Sequence, residues 1–388
     1  MKTIAYLSYT HFADCDIPLL HELQHLEPGL IYILQLTEKD KNRTIINVNK
    51  LKKKGGLFPA TDYPELLKLS KFIRLDRTYI LNMPGLHDFS PSNILAVLRL
   101  RKFLRQQNCS LIHFTWPLRY GAFPLYTLHN RMLLTVHDPL PHSSETGWLN
   151  RFHRKVAIRL VPHFLLLNRV QLPVFIAHHK LNENQVFCSR LSIYNHLEST
   201  TPILPSNSDY ILFIGSISSH KGVDVLCEAM MKVCKQLPHQ KLVVAGSGKL
   251  YFNIAPYQEA GFLELHNHYL SDEELKGYIL QSSFVVCPYI DATQSGVIMS
   301  AFALGKPVIA TNVGALPEMV ENGRHGLIVP PRDSEALAQA IIQLSTSAST
   351  RLQMQQNILE DYHEGLRSWH QIAQDISSIY HKLSTPQP

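Results

Sequence analysis

"ATQSGVIMSAFALGKPVIATNVGALPE", Ala292–Glu318, passes from a polar turn into a helix of small and apolar residues and then into a β-branched strand. A helix start presents unpaired backbone N–H groups and the positive end of its dipole. Thr293, Gln294, Ser295 and Gly296 therefore form either an anion seat or an ordinary N-cap on a buried helix. The small residues Ser300, Ala301, Ala303 and Gly305 let that helix lie close on a sheet. Outward from this unit the alternation continues. In the second half "YILFIGS", "KLVVAGSG", "FLELHNH", "SFVVCPY", "KPVIATN" and "HGLIVPP" read as strands. In the first half "TIAYLSY", "GLIYILQL", "SLIHFTW", "RMLLTVHD", "LPVFIAH" and "RLSIYNH" do the same. Strands separated by amphipathic helices give parallel sheets wound by right-handed crossovers, so the chain is α/β. Pro and Ser make residues 201–209 a linker between domains at 1–200 and 210–365, and residues 366–388 form a final helix.

With 388 residues, 45% hydrophobic and 18% charged, the composition is that of a globular two-domain chain. No apolar run approaches the roughly 20 residues of a membrane span, and "MKTIAYLSYTHFADCD" turns polar too early for a signal peptide, so the expected location is cytoplasmic. Six cysteines without a CxxC pair read as reduced thiols. Despite 21 histidines there is no HExxH or similarly spaced carboxylate set, so neither a metal nor another cofactor is expected.

Charge is distributed unevenly. Met1–Ser208 holds 25 Lys and Arg against 14 Asp and Glu, and the remainder holds 12 against 17. The basic clusters are residues 41–54, Arg99–Arg105 and Arg151–Arg159. They either solvate helix faces or attract an anionic lipid surface or a lipid-linked acceptor, with a peripheral place at the inner face of the membrane; nucleic acid is not expected as a partner.

In open parallel sheets ligands settle beyond the carboxyl ends of the strands. After "YILFIG", Gly215 permits a tight turn, Lys221 stands beside a helix start and Gly222 permits close approach. Neither a Walker loop nor a GxGxxG fingerprint is present. Together with the seat at Ser295 and Gly296, Lys221 supplies a second anion grip in one domain, which suits a diphosphate.

"FIGSISSHKGVDVLCEAM", "VVAGSGKL", "ELHNHYLSDEELKGYILQSSFVVCPY" and "SGVIMSAFALGKPVIATNVGALPEMVENGRHGLIVPP" resemble, in unbroken order over Tyr210–Leu344, the nucleotide-sugar half of glycosyltransferase family 4, enzymes of the GT-B fold. Similarity in the first half rests on "LLTVHDPLPH", "VFIAHHKL" and "SIYNH". The resemblance implies two Rossmann-like domains facing a cleft. It also implies retaining, hexosyl-type transfer from a nucleoside diphosphate sugar, in polysaccharide, glycolipid or glycoconjugate synthesis. The donor would be held by Gly215, Ser216, Lys221, Gln294, Ser295, Gly296, Val297 and Ser300. By the same resemblance His137, with Asp138, lies near the donor sugar, and a structural role for His137 stays open.

The chain departs from the family pattern at three positions. Ser216 stands where the family has an arginine, and Ala292 and Ser300 stand where it has two glutamates. Those losses leave open a donor-binding partner subunit without activity, or a nucleotide-sugar epimerase. The family's glycine-rich loop after the first strand is replaced by a segment in which His11, Phe12, Asp14 and Asp16 are expected to line the acceptor side. The stripe Trp369, Ile372, Ile376, Ile379, Tyr380 and Leu383 needs a buried face. It packs either on the domain just before it or, as the resemblance implies, back on the first domain.

Overall fold

The computed structural model describes residues 2–43, 45–118, 120–139, 148–205 and 209–384. The end of "TVHDPLPH" and residues 206–208 of the linker lie outside the described residues. The chain divides into two compact units, Met1–Leu191 with Trp369–Pro388, and Ser192–Ser368.

The first unit is built on an eight-stranded sheet. Its strands are β1 (Ile4–Tyr9), β2 (Leu30–Thr37), β5 (Gly56–Pro59), β6 (Thr78–Met83), β7 (Leu111–Phe114), β8 (Met132–Val136), β9 (His163–Leu166) and β10 (Val186–Cys188). A short hairpin, β3 (Asn42–Arg43) and β4 (Ile46–Asn47), stands apart from it. The order is β10-β9-β8-β7-β1-β2-β6-β5, parallel except for β5 against β6. Two of the expected strands are corrected: "LPVFIAH" falls in the helix Leu172–His179, and "RLSIYNH" forms no strand. An apolar run this short satisfies either element, and Pro173 at the first helical turn, where its missing N–H costs nothing, favours the helix.

The helix Trp369–Ser384 packs on the helix Ala13–Leu26 of this first unit. Its apolar stripe is buried at Trp369, Ile372, Ile376 and Tyr380. Polar contacts also fix its register: the Tyr380 hydroxyl meets His113 Nδ1 at 2.6 Å, and Ser377 Oγ donates to Glu27 Oε1 at 2.5 Å.

The second unit holds β11 (Tyr210–Ile214), β12 (Leu242–Ala245), β13 (Leu263–His266), β14 (Ser282–Cys287), β15 (Val308–Thr311) and β16 (Gly326–Val329). All are parallel, in the order β13-β12-β11-β14-β15-β16. Helices cover both faces of such a sheet, which is why Ile211, Leu212, Phe213 and Ile214 are all buried in succession rather than in alternation. Strand order reverses direction between β11 and β14, the place where a crevice opens for ligands. Part of the expected linker is pinned to this unit: Ile203 N–H donates to Glu273 O at 2.9 Å, and Gly277 leaves room for the Ile203 carbonyl. None of the six cysteines is in a disulfide, and Cys109, Cys227 and Cys287 are buried. Among the described residues no helix is long and apolar enough to cross a membrane.

Candidate functional site

At the reversal point of the second unit, the segments leaving β11 and β14 come together. Gly215 has φ +117°, a region other residues rarely enter, and a Cβ there would stand 3.3 Å from Val297 Cγ2. Gly222 has φ +67° and faces the Pro288 carbonyl, where a Cβ would lie at 2.1 Å. These two glycines let the β11 loop lie directly on the segment that follows β14. Lys221, half-buried in that loop, sets its ammonium 3.6 Å from the centroid of the Tyr289 ring. Tyr289 is buried, and its hydroxyl shares a 3.2 Å hydrogen bond with Ser295 Oγ. Ser295 in turn caps the helix Gly296–Ala303 by accepting from Ile298 N–H at 3.4 Å. Thr311 Oγ1 donates to the Tyr289 carbonyl at 2.6 Å, and Ala315 N–H donates to Thr293 O at 3.1 Å, so the approach to the helix is fixed from both sides.

The outcome is a cationic group laid over the Tyr289 ring near the buried Cys287 thiol. Burial lowers the Lys221 pKa, and no carboxylate among the described residues forms an ion pair with it. An ammonium held over an aromatic face without an anionic partner has its attraction to an incoming anion unspent. Behind it, the Gly296 and Val297 N–H groups open the helix, and Ser295 consumes only the N–H of Ile298.

Several expected details take a different form. The helix after β11, Val223–Gln236, offers less than its position implies, because Asp224 N–H donates to the Tyr251 hydroxyl at 3.3 Å. Thr293 is buried, and its carbonyl is bonded, so the seat begins at Ser295. Gly296 makes room for Tyr194, whose hydroxyl lies 2.9 Å from where a Cβ would stand. Ser300 Oγ donates to Gly296 O at 3.0 Å, one turn back, so its hydroxyl is engaged within the helix. Ala292 packs its carbonyl under Gly314. Ser216 is exposed and Gln294 half-buried. Tyr289, which joins Lys221 to Ser295, was not singled out from the sequence; a tyrosine directly after a buried strand carries no mark that separates it from the core.

In the first unit, His137 and Asp138 follow β8. The His137 ring stacks on Phe12 at 3.9 Å with 7° between the planes. Its Nε2 is enclosed and has no hydrogen-bond partner. Burial pushes its pKa down to about 4, against the opposing pull of Asp138 and the Thr115 backbone, so the ring is neutral at pH 7. Arg154 Nη1 donates to the Asp138 carbonyl. Asp16 is turned inward, 4% exposed, and accepts from the Tyr6 hydroxyl at 2.6 Å and from Ser8. Of the four residues expected on the acceptor side, only His11 lines the large cavity of this unit.

Glu321, His325 and Asp361 cluster at metal-ligand spacing. Asp361, however, is clamped by Arg324 through bonds of 2.7 and 2.9 Å and bonded to His325 Nε2 at 2.7 Å, which makes the cluster an ion-pair network.

Residues 208–347 match the family of glycosyl transferases group 1. An uncharacterized glycosyltransferase of Methanocaldococcus jannaschii is 27% identical over 251 residues, 58% of this chain and 69% of that protein. Several other curated relatives are matched over only 44 to 45% of their own length. Among solved structures, sucrose-phosphate synthase from Thermosynechococcus elongatus superposes with a TM-score of 0.67 at 16% identity over 99% of each chain. Anabaena HepE, solved in complex with UDP, does so with a TM-score of 0.65 at 15% identity over 98% of this chain and 100% of its own. The fold is therefore GT-B, two Rossmann-like units, and over residues 208–347 the chain carries a domain of the group 1 glycosyltransferases.

Proposed function

We propose that the chain is a retaining glycosyltransferase that takes a hexose from a nucleoside diphosphate sugar. The observation that carries this reading is the path from Lys221 over Tyr289 to Ser295 at the head of the helix Gly296–Ala303. That path is a diphosphate cradle made of one ammonium, two backbone N–H groups and hydroxyls. HepE, on the same fold, has been solved with UDP-glucose, which supports a nucleotide sugar as donor.

In the step itself, the bond between the sugar C1 and the diphosphate oxygen breaks while the acceptor oxygen bonds to C1 on the same face. The departing phosphate takes the acceptor's proton. Negative charge grows on the diphosphate, where Lys221 and the N–H groups of Gly296 and Val297 stabilise it. No carboxylate nucleophile is needed, in keeping with Ala292 and Ser300 where the resembled family has glutamates. By the family resemblance His137, neutral at pH 7, is the first unit's candidate for the donor sugar, and no metal cofactor enters the scheme. The acceptor belongs to the first unit. The exposed Arg151, Phe152, Lys155, Arg159 and Leu160 on the helix Trp148–Leu160 support a peripheral place on an anionic membrane at its inner face.

A thermal-shift screen of UDP, GDP and ADP with their sugars tests the donor assignment, because only a ligand that prefers the folded state raises the melting temperature. At least one nucleoside diphosphate sugar should do so, with the product retaining its anomeric configuration by NMR. No shift with any of them would refute the proposal, and binding without turnover would turn it into that of a donor-binding subunit.

A further inference from the structure

Only the turn Thr10–Phe12 separates β1, which ends at Tyr9, from the helix that opens at Ala13. That turn carries Phe12, whose ring lies flat on His137. Behind it, Asp16 ties the start of the helix to β1 by accepting from the Tyr6 hydroxyl at 2.6 Å and from Ser8 Oγ. Ser8 has a second acceptor in reach, the Tyr9 carbonyl at 3.2 Å, at the mouth of the same turn. A serine hydroxyl carries one proton, so it serves the helix or the turn and not both in full.

The charge on Asp16 decides which of the two it serves. An ionised carboxylate only accepts, and it holds the Ser8 proton strongly. Once it takes a proton from solvent, the same group has a hydrogen bond to donate, and the Ser8 oxygen already stands beside it. Ser8 then turns its own proton to the Tyr9 carbonyl. The Tyr32 hydroxyl borders Ser8 and Asp16, enclosed and without a hydrogen bond of its own. A buried hydroxyl left unpaired costs stability, and here it leaves the cluster a spare group for a second arrangement.

Asp16 is faced by Tyr6 and Ser8 from β1, Tyr32 from β2, Asp14 from its own helix and Tyr380 from the helix Trp369–Ser384, none of them a cation. His113, edge-on to Tyr6 at 4.8 Å, is neutral, its pKa pushed by burial down to about 3. Burial of Asp16 therefore outweighs the two hydroxyl bonds and brings its pKa up to about 7, so both forms are populated at neutral pH.

We propose that Asp16 is a positioning residue whose protonation moves Ser8 from the helix to the turn and thereby reseats Phe12 against His137. Calling His137 part of a donor-sugar site rests on the glycosyltransferase reading. The switch itself is read in the free protein, so the two can fail separately.

Trp116 is the reporter, its ring 5.7 Å from Phe12 and 6.4 Å from His137. The full chain, with three tryptophans, is labelled with fluorotryptophan and followed by fluorine NMR across neutral pH, and Trp116→Phe identifies the signal. His11 also lies against Trp116, at 6.2 Å, so the titration uses a His11→Gln background, which removes that ring's own proton. His137, depressed to about 4, titrates below the range. The Trp116 signal should move in one step with its midpoint near pH 7. Asp16→Asn should abolish that step; its amide can accept from Tyr6 and donate to Ser8, so the variant should fold. Ser8→Ala leaves Asp16 able to titrate with no proton to redirect, and the step should lose most of its amplitude. The proposal is overturned if no step occurs, if the step survives in Asp16→Asn, or if Ser8→Ala leaves its amplitude whole. A failure of nucleotide binding at the second unit would sink the glycosyltransferase reading and leave this titration standing.

Discussion

Lys221→Met separates charge from bulk at the proposed diphosphate grip. Methionine keeps an unbranched side chain against the Tyr289 ring, which the Lys221 ammonium approaches at 3.6 Å, and removes only the cation. In the free protein two effects oppose each other: the cation–π contact, about 0.5–2 kcal/mol, is lost, and the cost of burying an ammonium is relieved. Stability near pH 7 should therefore move by less than about 1 kcal/mol. With ligand present nothing compensates. A charge-assisted contact to phosphate is worth about 1.5–3 kcal/mol, so the Kd of a nucleoside diphosphate should rise about 10- to 150-fold while that of the bare nucleoside stays put. Calorimetry with the two ligands measures the difference directly.

The pH dependence has a definite sign. Burial holds the Lys221 pKa below its ordinary value in the free fold, and a bound diphosphate raises it again. Affinity should then fall as pH climbs through the lowered pKa, with proton uptake on binding in that range, and the Met variant should show neither effect. Equal loss for nucleoside and diphosphate would remove Lys221 from the phosphate site.

Burial holds Asp16 at about pKa 7, above its unfolded value, so the stability it contributes in acid is lost as pH rises from about 4 to 7; Asp16→Asn should gain on the wild type across that window by up to about 4 kcal/mol in urea unfolding, and a pH-independent difference would contradict the assignment. His137, depressed to about 4, has the opposite sign, favouring the fold increasingly as pH rises from about 4 to 6.5. His137→Phe should remove that slope and lower turnover by at least about tenfold with donor affinity kept; unchanged turnover would leave His137 structural. Gly296→Ala should cost about 1–2 kcal/mol by clashing with Tyr194, and the added substitution Tyr194→Ala should recover part of that loss in the same unfolding assay; no recovery would place the strain elsewhere.

The second unit was legible strand by strand because a parallel sheet covered on both faces needs unbroken apolar runs, and Gly or Pro bounded each one. The first unit was less so. β6, "TYILNM", carries Asn82 in its interior, and that residue is buried because it serves Lys52 N–H, Lys52 O, Lys54 O and the Tyr63 hydroxyl. A strand whose polar residue is satisfied by a distant loop has no local signature. Lys221 and Ser295 could be found from position alone, since both stand where a strand gives way to a helix. Tyr289 could not: it looks like an ordinary core residue until the fold puts an ammonium over its ring.

The departures from the resembled family bear on one another through charge. A glutamate at position 292 or 300 would lie close to the same helix start that is to receive a diphosphate, and would set hydroxyl recognition against phosphate repulsion. Here the Ala292 carbonyl is packed beneath Gly314 and the Ser300 hydroxyl is returned to Gly296 O, so neither position offers a charge. The arginine missing at Ser216 and the missing carboxylates therefore offset each other: one cation fewer to attract the diphosphate, and two anions fewer to repel it. With no carboxylate paired to Lys221 among the described residues and the helix start open, the proposed diphosphate seat would still attract an anion more than repel it. On the proposed reading such a site gives up carboxylate discrimination among donor sugar hydroxyls, and Gln294, half-buried before the cap, is the side chain we would assign to read them.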